Sequence, residues 1–264
     1  MGLLVYVAGM LLLGIGVGLF SAALGLGGGL LMVPAFIAFV PHMDEHTAKG
    51  TSLFIIIFVS LVNAWRLNKD HVYVPWRLAT VLGAGSIVGS YLGAWITTQM
   101  SGRAVIVVFI VFVVIVGIRT LFLQESIVPE ARVHRHSILA VLIGLAAGAA
   151  GGATGTGGGA VLIPLALAAG IVSNARAVGL SNMVMVATSI AGSVAHFQAA
   201  PLFPGRWTVG HVALSLAPLV FVGAQLGSIP GVRINALLSL PRRRVVMAAV
   251  LLLIAGRLTY RVFA

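Results

Sequence analysis

The chain contains no cysteine in 264 residues. Disulfides, thiolate metal sites and persulfide chemistry are thereby excluded. Charge is scarce as well: Asp, Glu, Lys and Arg make up 8% of the residues, against roughly 25% in a soluble domain. Carboxylates are rarest of all. Asp44, Glu45, Asp70, Glu125 and Glu130 are the complete set, and each falls between apolar segments. A proton or sodium pathway built on an intramembrane carboxylate therefore has no candidate residue. No nucleophile–base pair and no paired carboxylates stand at helical spacing inside an apolar segment, which argues against an enzyme.

What is present is overwhelmingly apolar, 60% of the chain with a mean hydropathy of +1.13. Water cannot be the solvent for such a surface, so the composition predicts an all-α polytopic protein in contact with a lipid bilayer. The net charge of +11 does not signify nucleic acid. The basic residues sit at the ends of apolar segments, as topology signals do. Residues 2–24 lack the charged start of a signal peptide and are expected to be a structural helix. Met1-Gly2 does not open a myristoylation motif, because position 6 is Tyr6.

Five apolar segments can be read in each half, at 2–24, 30–40, 50–66, 77–98 and 103–123, then at 137–153, 160–172, 179–198, 208–229 and 244–263. The polar stretch 124–136 joins them, so 1–123 reads as a first repeat and 137–264 as a second. Internal matches support duplication. Gly25-Leu26-Gly27-Gly28-Gly29 followed by Pro34 answers Gly155-Thr156-Gly157-Gly158-Gly159 followed by Pro164. Ala48-Lys49-Gly50-Thr51-Ser52 answers Ala177-Val178-Gly179-Leu180-Ser181, and Gly89–Ala94 answers Gly223–Ser228. Arg103 with Gly117 answers Arg242 with Gly256, while Trp76 and Trp207 open the fourth segments.

The second segment of each half is too short to cross a bilayer, since an eleven-residue helix reaches only about 16 Å of a roughly 30 Å core. Either the first two segments form a hairpin turning at the glycines, or together they make one broken span. The positive-inside rule favours the hairpin. It leaves Lys49, Arg103, Arg206, Arg257 and Arg261 on one side and the other 11 of the 16 basic residues opposite, whereas the broken span divides them 9 to 7. Each half then comprises a Gly-broken helical hairpin plus three spanning helices, and the halves are expected to be inverted repeats.

A duplicated glycine break at membrane depth points to a transporter's substrate site. A turn stranded in hydrocarbon leaves backbone polar groups unsatisfied unless it is buried or lines a wet cavity. Each glycine run precedes a short helix, whose free N–H groups and positive dipole end face the turn and suit an anion. Gly25, Gly27, Gly28 and Gly29, with Gly155, Gly157, Gly158 and Gly159, are the expected backbone cradle. Ser21, Thr51, Ser52, Thr154, Thr156, Ser181 and Asn182 are the expected side-chain donors. Lys49 and Arg176, at the mouths of the third segments, are candidates for attracting or gating the ion, and His196 for coupling. Neither run continues to Gly-Lys-Ser/Thr or follows a strand, so neither is a nucleotide loop.

The remaining polar residues have plainer readings. Gly14 and Gly18, and Gly85, Gly89 and Gly93, show the four-residue spacing of close helix packing. His42-Met43-Asp44-Glu45-His46 matches a zinc-protease pattern, but it follows Pro41 in a short connection, and a solvated loop is expected there. No metal and no cofactor is called for. Gln225 is expected to bond between helices, and Tyr6, Trp65, Trp76, Trp207 and Tyr260 to anchor segment ends at the interface.

On the two Gly-rich runs with Pro34 and Pro164, and on Ala48-x-Gly50-Thr51-Ser52 with its weaker partner at Ala177–Ser181, the chain resembles the TauE/SafE family of sulfite exporters. The resemblance covers nearly the whole chain. It implies a multi-pass protein of the bacterial inner membrane, with two homologous halves, that exports sulfite or small organosulfonates. One departure stands out: Leu180 occupies the place of Thr51, removing a hydroxyl from the second copy. A permease for another solute, such as a metal cation, and a non-transport assembly factor are the alternatives. The first is disfavoured by the missing cysteines and intramembrane carboxylates. A homo-oligomer is compatible with everything above.

Overall fold

The computed structural model describes residues 3–24, 29–69, 75–122, 128–129, 137–202 and 207–263. In order these form α1 (Leu3–Leu24), α2 (Gly29–Phe39), α3 (Glu45–Lys69), α4 (Trp76–Thr98), α5 (Gly102–Phe122), α6 (Ser137–Thr154), α7 (Gly159–Ala168) and α8 (Asn174–Phe197). A two-stranded hairpin follows, β1 (Thr208–Val209) with β2 (Val212–Ala213), then α9 (Ala217–Leu237) and α10 (Leu240–Phe263). Among the described residues seven helices are long and apolar enough to cross a membrane: α1, α3, α4, α5, α6, α8 and α9. The all-α polytopic architecture is therefore as the composition requires. α10 is long and carries Arg242, Arg243 and Arg244 in its first turns and Arg257 further along.

Element boundaries depart from the sequence reading at several points. The fourth apolar segment of the second half begins at Ala217 and not at 208, because 208–213 folds as the β-hairpin. β-branched Thr208, Val209 and Val212 suit strands, Gly210 turns at φ +55°, and Trp207 takes a left-handed φ of +73° instead of opening a helix. The third segment of the first half starts five residues early, at Glu45. Asp44 caps it, accepting from the Thr47 N–H at 2.9 Å and from the Thr47 hydroxyl at 2.7 Å. Glu45 and His46 are thus helical, and His46 is buried where a solvated loop was expected.

Lipid tails are as apolar as leucine, so helices associate in a bilayer by close packing. α1 lies along α9, and α4 along α6. Both contacts are made by glycines facing each other's backbone. A Cβ at Gly85, Gly89 or Gly93 would strike the carbonyls of Val141, Leu145 or Ala149, and one at Gly144, Gly148 or Gly152 those of Leu82, Ser86 or Ser90. Gly14 and Gly18 meet Val220 and Ala224 in the same manner, and Gly223 and Gly227 meet Leu11 and Ile15. The packing role read from the four-residue spacing is what the structure shows.

Spacing alone does not identify such a glycine. Gly16, on the same helix as Gly18, has open space where a Cβ would stand, with no neighbouring atom within 4 Å. Gly16→Ala should leave the protein unchanged or stabilise it by up to about 1 kcal/mol, the helix preference of alanine. Gly18→Ala, driven into Ala224, should lower the thermal midpoint in detergent. Equal midpoints for the two variants would refute the close α1–α9 approach.

These two helix pairs frame a central pair, α3 and α8, which pack against each other. α8 is the most buried of the seven. α2 and α7 lie against α3 and α8 respectively, and both carry an internal proline, Pro34 and Pro164. Each proline lacks an N–H and so frees a carbonyl four residues earlier.

Candidate functional site

The second glycine run is the break between α6 and α7, enclosed by the central helices. Gly155, Gly157 and Gly158 take φ values of +77°, +78° and +81°, a left-handed backbone that glycine alone adopts cheaply. The N–H groups of Gly155 and Thr156 turn back to the Gly151 carbonyl at 2.9 and 3.1 Å, closing α6. α7 restarts with Val161 and Leu162 donating to the Gly158 carbonyl. Between these bonds, no group among the described residues accepts from the N–H groups of Gly157, Gly158, Gly159 or Ala160. Four consecutive donors at a helix N-terminus are the backbone signature of an anion site.

The first run, Gly25, Gly27 and Gly28, lies outside the described residues. Gly29, which starts α2, is described and packs against the Thr156 carbonyl and Ile56, so the start of α2 meets the second turn. Ser21, in the last turn of α1, is buried, and its hydroxyl has no partner among the described residues.

Lys49 stands beside the turn. It is fully buried, its stem lies against Gly155, and its Nζ donates to Thr97 Oγ1 at 2.7 Å and to the Ala153 carbonyl at 3.2 Å. Neither acceptor carries charge. The sequence reading put Lys49 at the mouth of a segment; the early start of α3 places it inside the protein instead.

The expected hydroxyls divide by what already holds them. Ser52 Oγ donates to the Gly155 carbonyl at 2.8 Å and braces the turn. Thr154 donates to the Ala150 carbonyl at 2.6 Å and shares a 2.9 Å hydrogen bond with Thr156. Thr51 Oγ1 accepts from the Ala213 N–H at 3.0 Å and pins the β-hairpin. Ser181 is buried beside Gly159. Asn182 points elsewhere: its amide donates to the Val178 carbonyl on its own helix at 2.9 Å, on an exposed face. Arg176 remains half-buried in the first turn of α8, short of the glycine turn.

Ser189 is the residue that sequence reasoning passed over. It is fully buried, its Oγ has no partner among the described residues, and it faces Gly157 together with Met185 and Ile56. A signal existed: Ser181, Met185, Ser189, Ser193 and His196 recur at helical spacing and are all buried on one face of α8. Thr97, the partner of Lys49, had no such signal. Gln225 keeps an unpartnered buried Oε1 among the described residues rather than the expected interhelical bond.

The turn's dependence on Ser52 is open to measurement. Ser52→Ala strands the buried Gly155 carbonyl, which costs about 1–3 kcal/mol. A lower thermal midpoint is expected from calorimetry in detergent, and an unaltered midpoint would show that the bond carries no weight.

At the far side of α3, Gly50 abuts the His211 carbonyl and the His196 ring. The His211 N–H donates to the His196 carbonyl at 2.9 Å, which docks the β-hairpin on α8. A small cavity of about 10 Å³, lined by Glu45, Lys49 and apolar residues of α2, α5 and α10, adjoins Lys49. A larger groove of about 420 Å³ runs along the outside between α2 and α10 and does not reach the turn. Among the described residues the turn, not the larger groove, has Lys49 and the unpartnered Ser189 hydroxyl beside it.

The chain is similar to known membrane transporter proteins. The family model described as sulfite exporter TauE/SafE matches residues 10–258. The probable membrane transporter protein YunE of Bacillus subtilis is 26% identical, over 95% of this chain and 96% of its own. A probable membrane transporter protein of Methanocaldococcus jannaschii is also 26% identical, over 92% and 91%. One of Haemophilus influenzae is 28% identical over 59% of each chain. No solved structure matches the chain.

Proposed function

The chain belongs to the TauE/SafE sulfite exporter family, and from that premise we propose that this membrane transporter carries sulfite or a related small sulfur oxyanion or organosulfonate out of the cell. The single observation that carries the reading is the glycine turn: four N–H donors at Gly157–Ala160 with no acceptor among the described residues, and the fully buried Lys49 alongside. The donors point a partial positive charge at the turn. Lys49, when its amine is protonated, adds a full one in a site where water does not screen it. Ser189, and Ser21 from the α1 end, supply hydroxyls that have no partner among the described residues.

The helix arrangement supports a two-repeat mechanism. The first helix of each half packs on the fourth of the other, α1 on α9 and α6 on α4. An exchange of this kind is what two inverted halves produce. Alternating access then consists of one half rocking against the other about the α3–α8 contact, with the anion held between. The inner membrane of a bacterium is the expected location.

The test is sulfite flux into liposomes bearing the purified protein, with voltage clamped and no pH gradient at first. Saturable flux that organosulfonates compete away is the expected result. An absence of flux for sulfite and for a panel of sulfonates, in protein shown to be correctly inserted, would refute the anion reading.

A further inference from the structure

One helical turn of α3 touches two different polar sites. Lys49 lies against Gly155 of the glycine turn, and its neighbour Gly50 lies against His211 and His196. His46, one turn earlier, completes a cluster drawn from three elements: His46 from α3, His196 from α8 and His211 from the β-hairpin. The rings of His46 and His211 are 5.1 Å apart and those of His196 and His211 5.6 Å. All three are buried, His196 completely.

The hydrogen bonding of this cluster is incomplete in a specific way. His196 Nδ1 and His211 Nδ1 face each other at 3.4 Å, so one proton between them satisfies both. Nε2 of His196 and Nδ1 of His46 are buried and have no partner among the described residues. Either tautomer leaves Nε2 of His196 unsatisfied, as a bare lone pair or as an unused donor. A buried polar group in that condition costs about 1–3 kcal/mol, and an apolar residue would avoid it. A structural role for the cluster explains the packed rings but not the idle nitrogens.

We propose that His46, His196 and His211 form a proton-binding site that works with the anion site, so that a proton and an anion bind together and cross together. The inference rests on the anion reading above. The proton enters from water and comes to rest on an imidazole nitrogen of the His196–His211 pair, leaving an imidazolium. The charged groups facing the cluster are Asp44 at the cap of α3, Lys49 on the same helix, and the other two histidines in each case; the Met100 and Ala200 carbonyls also face it.

Like charge sets the sign of the coupling. With the glycine turn empty, a proton on the cluster sits close to Lys49 and is disfavoured. His211, outside the spanning helices, is pushed down to about 4 by burial first and then by the neighbouring His46; Asp44 pulls it up, and Lys49 adds a smaller push down. An anion at the turn neutralises Lys49 and removes that repulsion. Anion binding therefore strengthens proton binding, and by reciprocity protonation strengthens anion binding to the same degree. A transporter lacking intramembrane carboxylates acquires in this way a route to proton coupling.

The experiment is the pH dependence of sulfite affinity for the purified protein, measured by calorimetry from pH 8 to pH 5.5 for wild type, His196→Gln and His211→Asn. One linked proton makes wild-type affinity rise about tenfold per pH unit more steeply than in the variants. Sulfite's own titration is common to all three proteins and cancels in the difference. If one variant fails to fold, the other is compared with wild type in two buffers of different ionisation heat, which subtracts any proton that Lys49 takes up. One more proton taken up per anion in the wild type than in the variant supports the site. Parallel pH profiles in all three proteins, or no excess proton in the wild type, would overturn it while the anion reading stands. No sulfite binding at any pH would remove the anion reading, and the proton site with it.

Discussion

Gly158→Val should reduce anion flux by at least about 100-fold, an effect of roughly 2.7 kcal/mol, while the protein still inserts. The residue caps α7 at φ +81°. A β-branched side chain in that region costs about 1–2 kcal/mol from backbone sterics alone. Its Cβ would also run into the Ala147 carbonyl of α6. The cheapest escape is a rotation of the 157–158 peptide, which turns N–H groups away from the site and leaves the helices in place. The loss should therefore fall on transport more than on assembly. Flux in liposomes, together with monodispersity in detergent, separates the two. A monodisperse Gly158→Val protein with wild-type flux would remove the turn from the mechanism.

Lys49→Met should act in the opposite sense on the two properties: flux falls more than tenfold, and thermal stability holds or rises. Burying an ammonium costs several kcal/mol in desolvation. Its two hydrogen bonds, to Thr97 and to the Ala153 carbonyl, return about 1.5–3 kcal/mol each. Methionine fills a similar volume with no desolvation cost, so the exchange is close to neutral for folding. For an anion it is not neutral, since the amine that the described residues place beside the turn is gone. Arginine is no rescue, because its larger head does not fit a fully buried position. Undiminished flux in Lys49→Met would show that the backbone donors suffice and that Lys49 is structural. A sharp loss of stability would show that the two hydrogen bonds outweigh the cost of burying the ammonium.

The two variants together test where a residue's energy goes. Gly158 and Lys49 both look like folding residues, being buried and closely surrounded. Yet one holds a strained backbone and the other a buried amine bonded to two neutral acceptors, and both conditions are costly for stability alone. Costs of this kind persist where a ligand uses them.

The solvent, the helical class and the place to look were all legible in the order of the residues. Hydropathy and the near absence of carboxylates depend on composition, which no fold can alter. Three glycines in a row break a helix whatever surrounds them, so the break at 155–159 was visible without a structure. The four-residue glycine spacing likewise announced helix packing, because period and chirality place those residues on one face.

Which polar groups remain uncommitted is a matter of tertiary contacts. Thr51, Ser52 and Thr154 are hydroxyls at the expected depth, but their bonds go to a β-hairpin, a turn carbonyl and a helix carbonyl. Ser189 has no partner among the described residues although it faces the turn. Those partners lie up to 162 positions apart in the chain, and no local pattern encodes them. The histidine cluster depends on the β-hairpin, whose two-residue strands are too short to show a period and owe their conformation to docking on α3 and α8. Lys49 is the sharpest case. A lysine near the end of an apolar run reads as an interface residue, and only the extra turn of α3 ahead of it, capped by Asp44, carries the charge into the protein.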